Sequence, residues 1–460
     1  MLGSLSRASV ILALVVGTAG GAPGSAEAAF PAVSVSASIG TPAWHVSAVT
    51  QVSRCAGQNA EVEEATAPPQ YAYAVWIGCG WIGFARSTDG GLHFGKPVVV
   101  PGAGPRIVHS WDPSIAVAPS GVVYVAYMIT DLDDNDNYPV VAISSDHGVS
   151  FSRVVRLRPH VTGDDGDRDF IAVGRHGDVY VTWDYAPSRA SVRVQCSHSG
   201  GSCWLTAGGL NAVIQKSGDG GRTWGPITPV DPGFPRNGGI SAPVLVRPGG
   251  RVDVLSWDHL VGRPPGYALH PGHEVFSSSA NGTRWPRRPT QVWPSAGSIA
   301  VSTWWIDGDL AADSAGNLFA TWDTQTPGGD IGWLSSSGNG GRTWGRPVRV
   351  TPDHTHAMHI VEVAGGRPGI AYVAWQTDAS PRGYATYLRA YSLTRGWLTP
   401  AIRVSGPYGN ARIWPGDTFG ISTLPAGAPA ARVALSWGSA IERHRNSEIY
   451  TAVVTLPVLR

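Results

Sequence analysis

Hydrophobic positions in this chain follow no helical spacing beyond the N-terminus. They fall in short runs of small and β-branched residues broken by glycine turns, the pattern of half-buried and buried strands. The runs come in pairs. WDPSIAVAPSGVVYVAYMI (111–129) is a small-residue strand, a Gly turn and a Val/Tyr-rich strand. The same pair recurs at RDFIAVGRHGDVYVTWD (168–184), ISAPVLVRPGGRVDVLSWD (240–258) and DGDLAADSAGNLFATWD (307–323). It recurs again at HIVEVAGGRPGIAYVAWQ (359–376), DTFGISTLPAGAPAARVALSW (417–437) and, more loosely, NAEVEEATAPPQYAYAVWI (59–77).

Five pairs lead into a second repeat, S-x-D-x-G-x-x-[WF]. STDGGLHF (87–94), SSDHGVSF (144–151) and SGDGGRTW (217–224) are full copies. SSANGTRW (278–285) carries Ala280 at the Asp position, and SGNGGRTW (337–344) carries Asn339 there. Ser and Asp side chains bond the N–H groups of their own turn, Gly supplies a positive φ, and the aromatic enters the core. Each copy reads as a hairpin turn made rigid by its own side chains. A further strand follows each one, as at GPITPV (225–230). The count is seven units of four strands. EIYTAVVTL (448–456) lacks a following strand, and AWHVSAVTQV (43–52) resembles one without a unit of its own. Joining the two closes a ring and removes exposed sheet edges.

The S-x-D-x-G-x-x-[WF] pattern resembles the Asp-box, or BNR repeat, of the sialidase (neuraminidase) superfamily, and the resemblance runs through most of the mature chain. It implies an all-β propeller whose active site lies on the face opposite the Asp-box turns. The expected architecture is seven four-stranded blades with an N-terminal strand closing the last; six blades, as in family sialidases, is the alternative. With strands lettered A to D from the axis outward, the A–B and C–D turns share one face. The B–C loops and D-to-A crossovers share the other.

The family mechanism clamps a substrate carboxylate with three arginines and uses a Tyr nucleophile, an activating Glu and an Asp acid/base. Its first Arg lies in an F/Y-R-I-P motif before strand A of the first blade, where this chain has Gln58 and Asn59. PRIV (105–108) lies upstream of its expected strand, and the nearest positional analogue is Arg168. No Tyr–Glu pair stands out, and Glu274 and Glu362 fall within expected strands. Fold resemblance alone assigns no activity.

Composition adds compartment and class. The 460 residues include 59 Gly, 36 Pro and 19 Trp, with 15% charged residues, which suits short strands and tight turns. The segment 1–28 has Arg7, an apolar stretch from Ala8 to Val16 and an A-x-A-like end at Ala26-Glu27-Ala28, the form of a secretory signal peptide. Residues 29–460 then form a single propeller domain, secreted and soluble. Four cysteines fit an oxidising compartment. Cys196 and Cys203 bracket SHSGGS, a loop that a disulfide would staple, and Cys55 and Cys79 would pair by elimination; four cysteines allow three connectivities. A net charge of +1 favours neither nucleic acid nor a membrane surface.

The loop face holds the candidate chemistry. Strand A starts carry Asp112, Asp169, Asp309 and Asp417, candidate acids and bases; Asp184, Asp258 and Asp323 begin the B–C loops. Arg168, Trp304, Trp305 and His359 are candidate substrate-binding residues. Carboxylates with aromatics suit a carbohydrate site, and the carboxylate spacing separates retaining from inverting hydrolysis. Equally, such Asp residues cap turns and strand ends. DLDDNDN (131–137) offers Asp131, Asp133, Asn135 and Asn137 as a candidate Ca²⁺ loop, and DDGDRD (164–169) offers Asp165, Asp167 and Asp169. His354, His356 and His359 have a spacing that suits a transition metal. Three functions compete: a sialidase-like glycoside hydrolase acting on extracellular glycans as a monomer, a non-catalytic propeller binding carbohydrate or glycoprotein, and a polysaccharide lyase with a His or Tyr base.

Overall fold

The computed structural model describes residues 44–457, apart from 103–106, 132–135, 158–164, 187–192, 197–202, 208–210, 233–241, 259–272, 294–307, 327–328, 353–359, 378–383, 409–414, 425–429 and 441–445. The signal-peptide segment lies outside these residues. Seven antiparallel sheets follow one another around an axis, and the chain is a seven-bladed β-propeller. The innermost strands A are Ala60–Ala67, Ile107–Val117, Asp165–Val173, Val244–Val246, Gly308–Ala312, Val361–Gly365 and Gly420–Thr423. Each contacts the next, and Gly420–Thr423 contacts Ala60–Ala67, so the ring is closed. In blade 2 strand A begins at Ile107, so it takes in the end of the PRIV segment.

Closure is made by both ends of the chain. His45–Val46 and Thr50–Gln51 pair with Glu448–Leu456, the third strand of blade 7. The buried Ser53 hydroxyl donates to Glu448 Oε2 at 2.6 Å and accepts from Ile449 N at 2.7 Å. Asn59 Nδ2 donates to the same carboxylate oxygen at 3.0 Å. Cys55 and Cys79 form a disulfide that ties this segment to the B–C turn of blade 1. Cys196 and Cys203 face each other across a two-stranded insertion in blade 3; their side chains lie outside the described residues.

The hydrophobic core is divided among the contacts between adjacent blades. Strand B has both faces against neighbouring blades, which is why it reads as an apolar run. One tryptophan recurs near its end: Trp76, Trp183, Trp322, Trp375 and Trp437 are all at most 1% exposed. These wide, flat side chains fill the wedge that opens between radiating sheets.

On the turn face the S-x-D-x-G stretches form the expected self-bonded turns. In 217–224, Ser217 Oγ donates to Asp219 Oδ1 at 2.8 Å and accepts from Gly221 N at 2.8 Å. Asp219 Oδ1 also accepts from Arg222 N and Thr223 N, both at 2.9 Å. Asn339 fills the Asp role in blade 5. Blade 4 corrects the sequence alignment. Ser279 and Asn281, not Ala280, make the turn bonds, and Gly282 N returns to Ser279 after three residues rather than four. The turn is one residue shorter, so the oxygen that bonds the N–H groups moves one place along.

Ser217→Ala should destabilise the fold by about 1–2 kcal/mol, because the N–H of Gly221 is left buried without its acceptor. A denaturant-unfolding midpoint unchanged from wild type would show that this turn contributes nothing.

Candidate active site

Three consecutive blades begin strand A with the same backbone irregularity. The ladder skips a residue between Ala60 and Val62, between Trp111 and Ser114, and between Asp167 and Phe170. Inside each bulge sits a charged residue with positive φ: Glu61 at 51°, Asp112 at 45° and Arg168 at 49°. Side chains other than glycine rarely adopt this region, and bulges re-aim side chains where function requires it. The three bulges turn Glu61, Asp112 and Arg168 toward one another at the loop-face end of the axis.

Blade 7 completes the group. Gly416 lies against the backbone of Glu61 so closely that a Cβ there would come within 2.2 Å of Glu61 N. Its φ of 113° also requires glycine. The neighbouring Pro415 carbonyl accepts from Glu61 N at 3.3 Å. This contact brings in Asp417, whose Oδ2 accepts from Arg168 Nη2 at 3.1 Å. The Arg168 side chain is 6% exposed and that of Asp417 23%.

Around this pair, Arg168 N donates to Asp112 Oδ2 and Asp167 Oδ1, both at 3.2 Å. Trp111 Nε1 donates to Asp167 Oδ1 at 3.1 Å, and Ser114 Oγ to Asp169 Oδ2 at 3.2 Å. The Asp112 carboxyl lies close to both Glu61 and Asp167, so each of these neighbours resists ionisation beside it. Burial, then the charge of Asp112, push Asp167 up to about 7 against the opposing charge of Arg168. Burial, then Asp112 and Asp417, hold Glu61 well above the carboxylate range; burial, then Asp112, do the same for Asp169. Glu61 Oε2 and Asp169 Oδ1 are buried with no hydrogen-bond partner among the described residues. Asp112, Asp167 and Asp417 are partly exposed, so the group opens to solvent on their side.

The fold thus gathers Asp112, Arg168, Asp169 and Asp417, from strand A starts far apart in sequence. Asp309 stands apart: its carboxylate accepts from Leu310 N and Val363 N, both at 2.7 Å, and joins blade 5 to blade 6. Trp304, Trp305, His354, His356 and His359 lie outside the described residues, as do Asp133 and Asn135. In the 131–137 loop, Asp131 Oδ2 accepts from Tyr138 Oη at 2.8 Å and Arg156 Nη1 at 3.1 Å, and Asn137 Oδ1 accepts from Thr130 Oγ1 at 3.0 Å. Among the described residues no group of three or more His, Cys, Asp or Glu is placed to hold a metal ion. Sequence reasoning missed Glu61 and read Asp167 only as part of a candidate Ca²⁺ loop. Aligning the looser first repeat on the strand A start, where Glu61 takes the place of Asp112, would have found the first.

No protein-family model matches the sequence, and no match was found among curated proteins. Solved structures do match. A PL25 ulvan lyase bound to -[GlcA(1-4)Rha3S]- superposes with a TM-score of 0.56 at 11% identity, covering 87% of this chain and 95% of that one. A protein of unknown function from Dyadobacter fermentans matches with a TM-score of 0.52 at 12% identity, over 90% of this chain and all of that one. NanB sialidase from Streptococcus pneumoniae gives 0.49 at 9% identity, over 84% and 83%. At these identities the first two matches establish the shared propeller fold and nothing about chemistry.

Just outside this group, Glu64 on the same strand is held by Ser422 Oγ at 2.7 Å and by Ser436 Oγ, both of blade 7. Burial pushes its carboxyl up to about 7, while the two hydroxyls oppose the shift. A raised folded-state pKa gives stability that is complete below the unfolded value and lost as pH rises through the folded one. Glu64→Gln should therefore stabilise the protein by about 2–3 kcal/mol at pH 8 and by almost nothing at pH 4. Thermal melts of both proteins across that range check it; a gain independent of pH counts against the linkage.

Proposed function

We propose that the chain is a secreted, carbohydrate-active propeller, a glycoside hydrolase in the broad sense that acts on extracellular glycans. The observation that carries this reading is the pair of carboxyl groups, Asp112 and Asp167, gathered on the Arg168 backbone N–H beside the Arg168–Asp417 ion pair at the open end of the axis. Acid/base cleavage of a glycosidic bond needs one carboxyl that keeps its proton near neutral pH and a second that stays ionised. Asp167, raised by burial and by Asp112, is the proton donor to the leaving oxygen. Asp417, paired with Arg168, is the carboxylate that activates water or stabilises the oxocarbenium-like transition state. Arg168 fixes both sides, through its backbone N–H on Asp112 and Asp167 and its guanidinium on Asp417. The Cys55–Cys79 disulfide supports an oxidising, extracellular location, as do the features of the segment 1–28.

The group contains one arginine among the described residues, where the sialidase resemblance implies three. A sialic acid carboxylate is therefore not the favoured substrate group. The second reading, a glycan-binding propeller without catalysis, is supported by Arg168 already being committed to Asp417.

The test is product release by the purified mature protein from sialosides, neutral glycans and uronate polysaccharides. Asp167→Asn and Asp417→Asn should each lower kcat by about 10²–10⁴-fold with melting behaviour close to wild type. Activity should fall as pH rises through about 7, where Asp167 loses its proton. No product from any substrate, with glycan binding retained, would move the assignment to the binding propeller.

A further inference from the structure

The face opposite the candidate active site carries a cleft of its own. It runs between blades 4 and 5, has a volume of about 460 Å³, and is lined by Arg247, Arg251, Arg288 and Arg342 with Phe276 at its floor. Arg247 and Arg251 flank the A–B turn of blade 4, and Arg342 belongs to the SGNGGRTW turn of blade 5. The arginines are oriented. Asp253, fully buried, anchors Arg247 through Nη2 at 3.2 Å and accepts from Ser278 Oγ at 2.6 Å. Ser278 Oγ in turn accepts from Arg247 Nη2 at 3.2 Å and Arg251 Nε at 3.1 Å. Arg342 Nε is held by the Asn339 carbonyl at 3.0 Å. The Arg247 guanidinium lies directly on Gly340, where a Cβ would come within 2.8 Å of Nη1.

Four guanidinium groups therefore line this cleft, with the buried Asp253 carboxylate behind Arg247, in a chain whose formal net charge is only +1. Among the described residues Arg251, Arg288 and Arg342 form no salt bridge, and all three are exposed. The matching cleft between blades 3 and 4 differs. Its one cation, Lys216, is balanced by Asp178 at 3.5 Å. The positive charge of the blade 4–5 cleft is therefore not shared by its blade 3–4 counterpart. Arg247 also borders the depression of about 560 Å³ at the turn-face end of the axis.

We propose that this cleft binds the sulfate or carboxylate groups of an acidic polysaccharide. Planar, forked guanidinium groups suit oxyanions, and several in a row suit a chain with repeated charges. Phe276 is 2% exposed and packs edge-on against Trp344, so its face is not offered to stack a nucleic-acid base. That the polymer is a glycan rests on the carbohydrate reading of the axial site; that it is anionic rests on the arginines alone.

The test is binding at low and physiological salt to a heparin-derived octasaccharide, a galacturonate oligomer, neutral maltooctaose and a single-stranded thymidine oligomer. Wild type should bind one or both acidic glycans and not the neutral one, with affinity falling as salt rises. The octasaccharide and the galacturonate oligomer separate sulfate from carboxylate recognition. The triple variant R251A/R288A/R342A should weaken binding at least tenfold, while K96A/R153A/R395A, which removes three exposed charges elsewhere, should not. Absence of binding by wild type, an equal loss in both triple variants, or tighter binding to the thymidine oligomer than to either glycan would overturn the proposal. Asp167→Asn should bind the acidic glycan as wild type does. If no glycan is cleaved but arginine-dependent binding persists, the cleft stands and the hydrolase reading falls.

Discussion

Closure of the ring of inner strands is the constraint on which the rest of this protein depends. Seven sheets radiating from an axis leave wedge-shaped gaps, and each gap must be filled by large side chains from strand B. The recurring, fully buried tryptophans help do this. The ring must also meet itself, and the join between blades 7 and 1 is built most heavily: an N-terminal strand pair, the Ser53–Glu448–Asn59 network, the 55–79 disulfide and the Glu64–serine contacts.

The candidate active site is a by-product of that join. Glu61 comes from blade 1, Asp112 from blade 2, Arg168 from blade 3 and Asp417 from blade 7, so the site exists only in the closed ring. Its carboxyl groups are crowded and largely withdrawn from water, which opposes ionisation. Three left-handed bulges in consecutive blades add backbone strain at the same place. Burial and mutual charge hold the Glu61, Asp167 and Asp169 carboxyls above their ordinary range at the cost of local stability.

The two faces divide the labour. On the turn face, Ser and Asp or Asn side chains satisfy the backbone locally, so sequence can vary at the exposed positions between them without loss of the turn. Of the arginines in the blade 4–5 cleft, Arg342 occupies such a position. On the loop face, blades 1, 2, 3 and 7 contribute charged groups to one centre.

The sequence by itself determined the repeat, the strand pairs, the blade count and the closure by residues 43–52. These are local or periodic properties: a strand pair, a glycine turn and a recurring Trp appear in order along the chain. The same reading marked Asp112, Arg168, Asp169 and Asp417 because strand A starts share a face. It did not separate Asp309 from them, since all lie at strand A starts; only the tertiary structure shows Asp309 spent on backbone N–H groups between blades 5 and 6. It also passed over Glu61, because the first repeat is degenerate and a bulge inserts one residue out of register. Which carboxyl groups meet around Arg168, and which lose water enough to keep a proton, was decided by packing across blades. That depends on distances between residues up to some three hundred and fifty positions apart, which no local pattern records.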